Sequence, residues 1–360
     1  MLRLRFIGDI FPGDEFFTAG FGIRSLTGEE RAGAWMREIA DVLQEGDFSI
    51  GNLEGPLVEA PDEETFCGRP FFADILKGAG INVLNVANNH ILEQGVEGYQ
   101  ETLSVLKSRG IHVTGARTGD GEPEILTLTA EGTKVCLAGF CDESISSFEN
   151  PGCYASLERE KVFETLERMK ALQPDVIVLI FHWGNEYIHF PSLKQRELAR
   201  ALIDAGARLI VGHHPHVIQP YERYKDGHIL YSLGNFCFDD VQSARFGKGM
   251  TARVEIEAGA ITGLSFSGVK VQDMAYGDSL VAPMDAEAFA RYFKRIQEEY
   301  AALSLLPEAE YQRKYEKLLK REHARERVYM RTSVVKKLLN VKTKHRRQLL
   351  LNIRKHLLRP

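Results

Sequence analysis

The sequence has few cysteines, no long apolar run and little net charge. Its five cysteines are odd in number and form no CxxC pair, which argues against a disulfide framework and a cysteine-rich zinc site. No apolar run approaches the roughly 20 residues of a membrane-spanning helix, and the N-terminus shows no signal-peptide core. The nucleotide-binding patterns GxGxxG and GxxxxGKS/T and the serine-hydrolase pattern GxSxG are also missing. We therefore expect a cytoplasmic protein. Peripheral contact with a membrane is an alternative that stays open.

The net charge of −5 over 360 residues hides an uneven distribution. Residues 311–360 contain 17 Lys and Arg against 3 Asp and Glu, a net charge of +14, while residues 1–310 contain 28 against 47, a net charge of −19. The acidic part argues against a specific nucleic-acid binder, and the basic part predicts an anionic partner. Two interpretations of the basic part stay open. Its apolar stripe packs onto the body or within a small bundle, or it contacts a membrane, a synthase complex or an acidic polymer.

Short apolar segments alternate with amphipathic stretches through residues 1–270, which predicts an α/β fold with crossover helices. The segments predicted as strands are Leu2–Ile7, Phe48–Ile50, Ile81–Val86, Ile111–Val113, Val135–Phe140, Val176–Phe181, Leu209–Val211 and Ile229–Leu233. The stretches predicted as helices are Ala34–Gln44, Phe71–Lys77, Val96–Lys107, Leu157–Leu172 and Leu193–Ile203. The alternation over Thr251–Lys270 predicts an antiparallel hairpin.

Strand signals disappear near Pro283, and the remaining chain is rich in Lys, Arg, Glu and Leu. Its composition predicts three helices: Asp285–Leu303, Glu308–Tyr329 and Ser333–Leu358. We therefore predict two parts, a domain over residues 1–282 and a basic helical extension over residues 283–360.

Six predicted strands end in carboxylate, amide or imidazole side chains, within the sequences GDI, GNLEG, ANNH, HWGNE, GHHPH and SLGNF. Loops beyond the carboxyl ends of strands build the site in an open α/β sheet, so we expect these side chains to converge. Six of the eleven histidines lie at or just beyond these ends, and His214 and His216 have a spacing that recurs among metal ligands. This mixture of ligand types suits Zn, Mn or Fe. The alternative is a polar cluster held by hydrogen bonds alone.

The segments GDIFPGDEF, GNLEGPL, VANNHILEQG, HWGNEY, GHHPHVIQPYE and YSLGNFCFD resemble the CapA family of poly-γ-glutamate capsule biosynthesis proteins. The resemblance covers about residues 3–240. It implies a metallophosphatase-like fold of the calcineurin-like phosphoesterase kind, a layered αββα sandwich, followed here by a C-terminal helical extension. It also implies one or two divalent metal ions, Mn, Zn or Fe.

The same resemblance implies roles for particular residues. The implied metal ligands are Asp9, Glu54, Asn89, His182, His214 and His216. Glu54 would bridge two metal ions, and His90 would act on the substrate as a general acid or by stabilising charge. Substrate contacts or supporting residues would be Asn52, Asn88, Trp183, Glu186, His213 and Asn235. Asn52 and Asn235 fit a role in turns equally well.

Two positions depart from the pattern of the wider phosphoesterases. Phe11 stands where the DxH motif has a histidine, and Glu54 stands where the bridging ligand is an aspartate. Phenylalanine cannot bind a metal ion, so one metal position would be weak, vacant or completed by another residue. His213 and Asp14 are the two substitutes considered, and the sequence does not choose between them.

The expected function is a metal-dependent hydrolase in the synthesis or processing of poly-γ-glutamate or a related anionic surface polymer. The bond cleaved would be a phosphoester or an amide of the polymer. The alternative is a non-catalytic accessory subunit that binds the polymer at a membrane synthase. Retention of His90 favours the enzyme, while Phe11 favours the accessory role.

Overall fold

The computed structural model describes residues 1–14, 18–26, 36–61, 65–238, 247–271, 281–340 and 346–357. Within these residues there are two sheets, of eight and six strands. The larger contains β1 (Leu2–Ile10), β2 (Phe48–Leu53), β3 (Val83–Asn85), β4 (His112–Thr114), β11 (Asn235–Cys237), β12 (Lys248–Glu257), β13 (Ala260–Val271) and β14 (Val281–Pro283). The smaller contains β5 (Leu126–Ala130), β6 (Thr133–Cys141), β7 (Val176–His182), β8 (Leu209–His213), β9 (Tyr221–Tyr224) and β10 (Gly227–Leu230). The helices are α1 (Ile23–Leu26), α2 (Arg37–Gln44), α3 (Phe72–Gly78), α4 (Gly95–Ser108), α5 (Arg159–Ala171), α6 (Leu193–Asp204), α7 (Ala286–Ser304), α8 (Glu308–Asn340) and α9 (Arg346–Leu357).

Parallel strands form the centre of each sheet. The larger sheet has the order β14-β13-β12-β1-β2-β3-β4, with β11 also pairing with β1, and its strands β1 to β4 are parallel. The smaller sheet has the order β5-β6-β7-β8-β10-β9, in which β6, β7, β8 and β10 are parallel. Parallel neighbours end at the same edge of a sheet, so residues that follow these strands are brought together.

Strand β7 shows how the sequence builds the layers. Its side chains alternate, so Val178 and Ile180 enter a core between the two sheets, whereas Ile177 and Leu179 enter a second core beneath α5 and α6. A third core lies on the outer face of the larger sheet and contains side chains from α2, α3 and α4. The layers therefore run helix, sheet, sheet, helix, and the predicted α/β class with an αββα sandwich is confirmed.

Most predicted elements are present, with shifted ends. The eight predicted strands and the hairpin of β12 with β13 are confirmed, but β5, β9, β11 and β14 were not predicted. β5 and β9 are edge strands with partly exposed side chains, and β11 and β14 have only three residues each, so none carries a strong apolar signal. The predicted strand Ile229–Leu233 ends at Leu230, because the chain then turns toward Gly234, whose φ is +68°.

The C-terminal helices pack against the body. The predicted helix starting at Ser333 is wrong at that end, because α8 runs without a break through Asn340. Residues 341–345 and 358 of that prediction lie outside the described residues. In α7, Phe289 and Ile296 join the inter-sheet core. Of the helices that the structure describes, none combines the length and apolar character needed to span a membrane. The division of the chain at residue 282 stays a prediction.

Candidate metal centre

The site begins at the ends of strands whose side chains pack in the inter-sheet core. On the same face of each strand, the side chains change there from apolar to polar. In the second strand, β2, Ile50 packs in that core, Asn52 follows two residues later, and Glu54 follows two residues after that. In β7, Ile180 is followed in the same way by His182. Alternation places each of these sets on one face, so the core and the site share a single surface of each sheet.

Strand register aligns the polar residues across each sheet. Parallel pairing sets Asp9 beside Asn52 and Asn52 beside Asn85 in the larger sheet. It sets His182 beside His213 in the smaller one. The predicted convergence of strand ends therefore has a specific geometric cause, a matching register of parallel neighbours.

Two overlapping groups of three side chains could each hold a metal ion. One consists of Asp9, Glu54 and His182, and the other of Glu54, His214 and His216. In each group the possible ligand atoms lie within 4.8 Å of one another. All five side chains are buried, and Glu54 belongs to both groups. The sixth predicted ligand, Asn89, lies beside them, with Oδ1 2.8 Å from His182 Nε2.

The carboxylate of Glu54 lies in an unusual environment. The side chain is fully buried, and neither oxygen has a hydrogen-bond partner among the described residues. Burial, followed by the charges of Asp9 and Glu186, raises the pKa of Glu54 well above its usual value. A buried carboxylate without partners is costly, and a bound cation is the usual compensation. The residues present therefore fit a divalent metal ion.

Burial also keeps histidines of the centre neutral. It lowers the pKa of His182 well below its usual value, helped by the neighbouring His214. It lowers the pKa of His214 to about 4, against the opposing charge of Glu186. Neutral imidazole is the form that binds a metal ion, so His182 and His214 are in the ligating state at neutral pH.

Asp9 is held as a carboxylate by the groups around it. Its Oδ1 accepts a hydrogen bond from Asn52 Nδ2 at 2.9 Å and lies 3.0 Å from His213 Nδ1. Its Oδ2 accepts a hydrogen bond from the backbone N–H of His214 at 3.2 Å. Burial alone would raise the pKa of Asp9, but its contact with His213 and the other donors leaves that pKa lowered.

The structure distinguishes the two substitutes for the missing DxH histidine. His213 lies against Asp9, as described above. Asp14 instead organises the loop after β1, because its carboxylate accepts backbone hydrogen bonds from Gly20 at 3.0 Å and Ser25 at 3.2 Å. Its oxygens are thus engaged in that loop. Neither Asp14 nor His213 belongs to a ligand group, but His213 contacts Asp9, which is a member of one.

Phe11 belongs to an aromatic wall beside the centre. Its ring stacks on Phe238 at 4.9 Å, meets Phe66 edge-on at 5.6 Å and lies 6.4 Å from the ring of His90. The wall continues to the ligands, since Phe238 meets His216 at 4.8 Å. An apolar wall therefore occupies the position where the phosphoesterase pattern has a polar ligand.

His90 is oriented by a residue that the sequence interpretation missed. Its Nδ1 lies 2.7 Å from Glu93 Oε1, and its ring stacks on Phe66 at 5.5 Å. The contact with Glu93 occupies Nδ1 and leaves Nε2 for proton exchange with a substrate. The available signal was the spacing of three residues between His90 and Glu93, which suits two side chains of one turn.

Asparagines support the ligands. The Oδ1 of Asn235 lies 2.9 Å from His216 Nδ1; an amide oxygen only accepts, so the bond places the proton on Nδ1 and leaves Nε2 for a metal ion. Asn88 donates to the backbone oxygen of Leu53 at 2.7 Å, which ties the loop after β3 to β2. Asn85, also missed from the sequence, donates to Asn52 Oδ1 at 2.8 Å.

Backbone conformation sets the HxH segment. His214 and His216 adopt φ values of +92° and +54°, in the left-handed region that side chains other than glycine rarely occupy. Gly212, two residues before His214, lies very close to Tyr231. A Cβ on Gly212 would lie 1.9 Å from the backbone oxygen of Tyr231. The strain and the close approach both occur at or next to the two histidines of the second candidate ligand group.

Three remaining residues lie around rather than within the ligand groups. Glu186 lies on the loop after β7; burial would raise the pKa of its carboxyl, but the charges of His214 and His216 lower it. Trp183 stacks on Phe181 in the core beneath α6 and donates to a backbone oxygen there, so the structure does not bring it to the ligands. His189 was also predicted to lie near the strand ends. Its Nδ1 instead lies 3.4 Å from the backbone oxygen of Ile218.

Comparison with known proteins gives the same assignment as the motifs. The family described as "Bacterial capsule synthesis protein PGA_cap" matches residues 3–240. The chain is 32% identical over 251 residues to the PGA biosynthesis protein CapA of Bacillus subtilis, covering 66% of this chain and 64% of that protein. It is 31% identical over 256 residues to the capsule biosynthesis protein CapA of Bacillus anthracis, covering 66% of this chain and 60% of that protein. The chain thus spans less than two thirds of the length of either relative.

Among solved structures, the calcineurin-like phosphoesterase YfkN of Bacillus subtilis aligns with a TM-score of 0.45 and 15% identity, covering 83% of this chain and 97% of that chain. The family match covers β1 to β11 and every residue of the two ligand groups, whereas α7, α8 and α9 lie beyond it. The chain belongs to the family of bacterial capsule synthesis proteins, as its motifs predicted.

Proposed function

We propose that this protein is a metal-dependent hydrolase that acts in the synthesis or processing of poly-γ-glutamate or a related anionic polymer. One observation carries the proposal: Glu54 is fully buried, has no hydrogen-bond partner among the described residues, and is shared by two groups of metal-ligating side chains. A shared carboxylate between two such groups is the arrangement of a two-metal hydrolase.

The residues on each side of Glu54 define where metal ions would be held. Asp9, Glu54 and His182 would hold one ion, with Asn89 beside it, and Glu54, His214 and His216 would hold the other. Mn, Zn and Fe all suit this mixture of ligands. When bound, such ions supply Lewis acidity and lower the pKa of water toward neutrality.

The chain's own residues would orient the substrate and move the proton. Glu93 fixes the ring of His90 through Nδ1, and Phe66 holds one face of that ring. His90 is 23% exposed, so a substrate can reach it, while the ligands beneath are closed from solvent. His90 Nε2 would donate a proton to the leaving oxygen or nitrogen as the bond breaks.

The polymer assignment rests on family membership. Both Bacillus relatives are named for capsule or PGA biosynthesis. The chain shares with them the part that carries the candidate metal centre. We therefore propose that the centre acts on the polymer or on a phosphoester formed in its synthesis. The same proposal includes a role for the basic helices. They would contact the polymer, a membrane or a synthase complex.

The test measures metal content and hydrolysis on the same protein preparations. Wild type is reconstituted with Mn or Zn and assayed against phosphomonoesters, phosphodiesters and γ-glutamyl oligomers. His90→Ala should keep its metal and lose roughly 10²–10⁴-fold in turnover. His112→Ala is the matched control, because His112 is exposed on β4 outside both ligand groups. Full activity in His90→Ala would remove His90 from the mechanism.

A second candidate, a non-catalytic accessory subunit, is favoured by Phe11. The aromatic wall replaces one polar ligand of the phosphoesterase pattern, which removes a donor from one metal position. Metal binding without turnover on the whole substrate panel would favour this candidate. Failure to bind metal after reconstitution would defeat the hydrolase outright.

A further inference from the structure

A groove opens between α7 and α8, in the part of the chain beyond the family match. Its cavity has a volume of about 430 Å³, within the range of small-molecule sites. Its floor is apolar and consists of Phe190, Ala302, Leu303 and Leu318. None of its lining residues belongs to the two ligand groups. We call this feature the α7–α8 groove.

Three basic side chains of α8 line the rim of the α7–α8 groove. Lys314, Lys317 and Arg321 are spaced by three and four residues, which places them on one face of the helix. Lys317 has no ion pair with the residues that the structure describes, whereas Lys314 Nζ lies 4.0 Å from Glu310 Oε1 and Arg321 Nε lies 3.4 Å from Glu322 Oε1. The rim therefore presents positive charge above an apolar floor.

The acidic side chain of the lining does not cancel this charge. Glu299 of α7 lies 3.9 Å from Arg295 Nε, so a neighbouring cation already faces it. Three cations against one paired carboxylate leave the lining net positive. The apolar floor is also open, because Ala302 is exposed and Leu303 and Leu318 are only half-buried.

We propose that the α7–α8 groove binds a single-chain amphiphile with an anionic head group, a long-chain carboxylate or monoalkyl phosphate. The alkyl chain would cover Leu303, Leu318 and Phe190 and remove apolar surface from water. The head group would lie among Lys314, Lys317 and Arg321, where it meets complementary charge. A small anion alone would leave the floor uncovered, and a neutral amphiphile would leave Lys317 without an anionic partner.

The experiment titrates the full chain with laurate below its critical micelle concentration, using calorimetry. Butyrate has the head group without the chain, and dodecyl maltoside has the chain without the charge. Laurate should bind with one site per chain and at least about tenfold more tightly than either control compound. Equal binding of all three would overturn the proposal.

Charge reversal on the rim tests the location. Lys317→Glu should weaken laurate binding by about fivefold or more, since one basic residue near an anionic group contributes about that factor. Lys320→Glu is the matched control: it makes the same change on the same helix, but Lys320 does not line the groove. Equal weakening by both variants would overturn the proposal in favour of general surface charge.

A second variant and a second ligand source complete the test. Leu318→Asp puts a negative charge into the floor, which repels the carboxylate and removes apolar surface; it should abolish laurate binding while thermal unfolding shows that the fold persists. Phosphatidylglycerol vesicles then separate the sources. If both laurate and the vesicles bind, the groove accepts its ligand from a lipid. If laurate binds and the vesicles do not, it accepts a free fatty acid, and both outcomes support the proposal. Vesicle binding without laurate binding contradicts it and indicates contact with a membrane surface instead.

Discussion

The metal centre and the C-terminal helices bury polar groups in opposite ways. The centre closes two carboxylates and several imidazoles away from water, and leaves both oxygens of Glu54 without hydrogen bonds. In the C-terminal helices, most of the charged side chains that the structure describes are exposed, and the attachment includes aromatic anchors such as Tyr311 and Tyr315, which pack against Ile188. The unpaired, buried carboxylate of the centre therefore costs stability, whereas the exposed charges of the helices cost little.

The anchors contact the loop after β7, which also carries Glu186. Tyr315 OH accepts a hydrogen bond from Asn185 Nδ2 at 2.9 Å, and Tyr311 OH donates to the backbone oxygen of Pro191 at 2.6 Å. Glu186, which faces the ligand histidines, is the next residue after Asn185. A comparison of variants in the centre with variants in the anchors should therefore separate direct from indirect effects on metal binding.

The largest effect is expected from Glu54→Gln. The amide keeps the size of the side chain but removes the charge that both ligand groups share. We expect metal content after reconstitution to fall close to zero at both positions, measured by elemental analysis of dialysed protein. Retention of one full equivalent would show that the two groups are independent and that Glu54 does not bridge them.

A smaller loss is expected from His214→Ala, which belongs to one ligand group only. One equivalent of metal should be lost and the other kept, together with part of the stabilisation that bound metal gives the folded state. His228→Ala is the matched control, because His228 is also a buried histidine but contacts Tyr221 and Arg223 on the edge hairpin. Metal loss in the control would point to general destabilisation.

The metal-free protein should reveal Glu54 through pH. Its folded pKa is raised, so the folded state binds the proton more tightly than the unfolded chain does. The stability that this group contributes is full below the unfolded pKa of about 4.3, and is lost as pH rises through the folded pKa. Chelator-treated wild type should therefore lose more stability between pH 5 and neutrality than Glu54→Gln does, in urea unfolding series at each pH. Parallel curves would contradict the raised pKa.

The centre was more predictable from sequence than its supports. Asp9, Glu54 and the histidines lie directly at strand ends. There an apolar run predicts the strand, and a short motif predicts the turn that follows it. Glu93 and Asn85 were missed because their roles depend on the orientation of a ring and on register between strands, which local patterns do not contain. For Asn85, a Cβ on Gly139 of the facing sheet would lie 2.0 Å from Oδ1, a contact between distant segments.

The helical extension was predictable in kind but not in attachment. Composition and spacing predicted helices, yet the continuation of α8 past Ser333 and the docking of α9 were not visible. The docking rests on single contacts, such as the hydrogen bond from Asn352 Nδ2 to the backbone oxygen of Ala19 at 2.8 Å. Sparse anchors of this kind leave no periodic signature, because most of the helix surface stays in solvent.

The smallest effect is expected from Tyr315→Phe, which removes one hydroxyl and keeps the buried ring. The lost hydrogen bond with Asn185 should lower the free energy of unfolding by about 1 kcal/mol. If the anchor also positions the loop that carries Glu186, metal affinity should fall by a small factor at the same time. Tyr311→Phe is the matched control, because it removes a hydroxyl from the same helix that contacts Pro191, farther along the loop from Glu186. Isothermal titration with Mn on both variants decides the question. Equal metal affinity in the two, with equal loss of stability, would mean that the extension only stabilises the body and does not reach the metal centre.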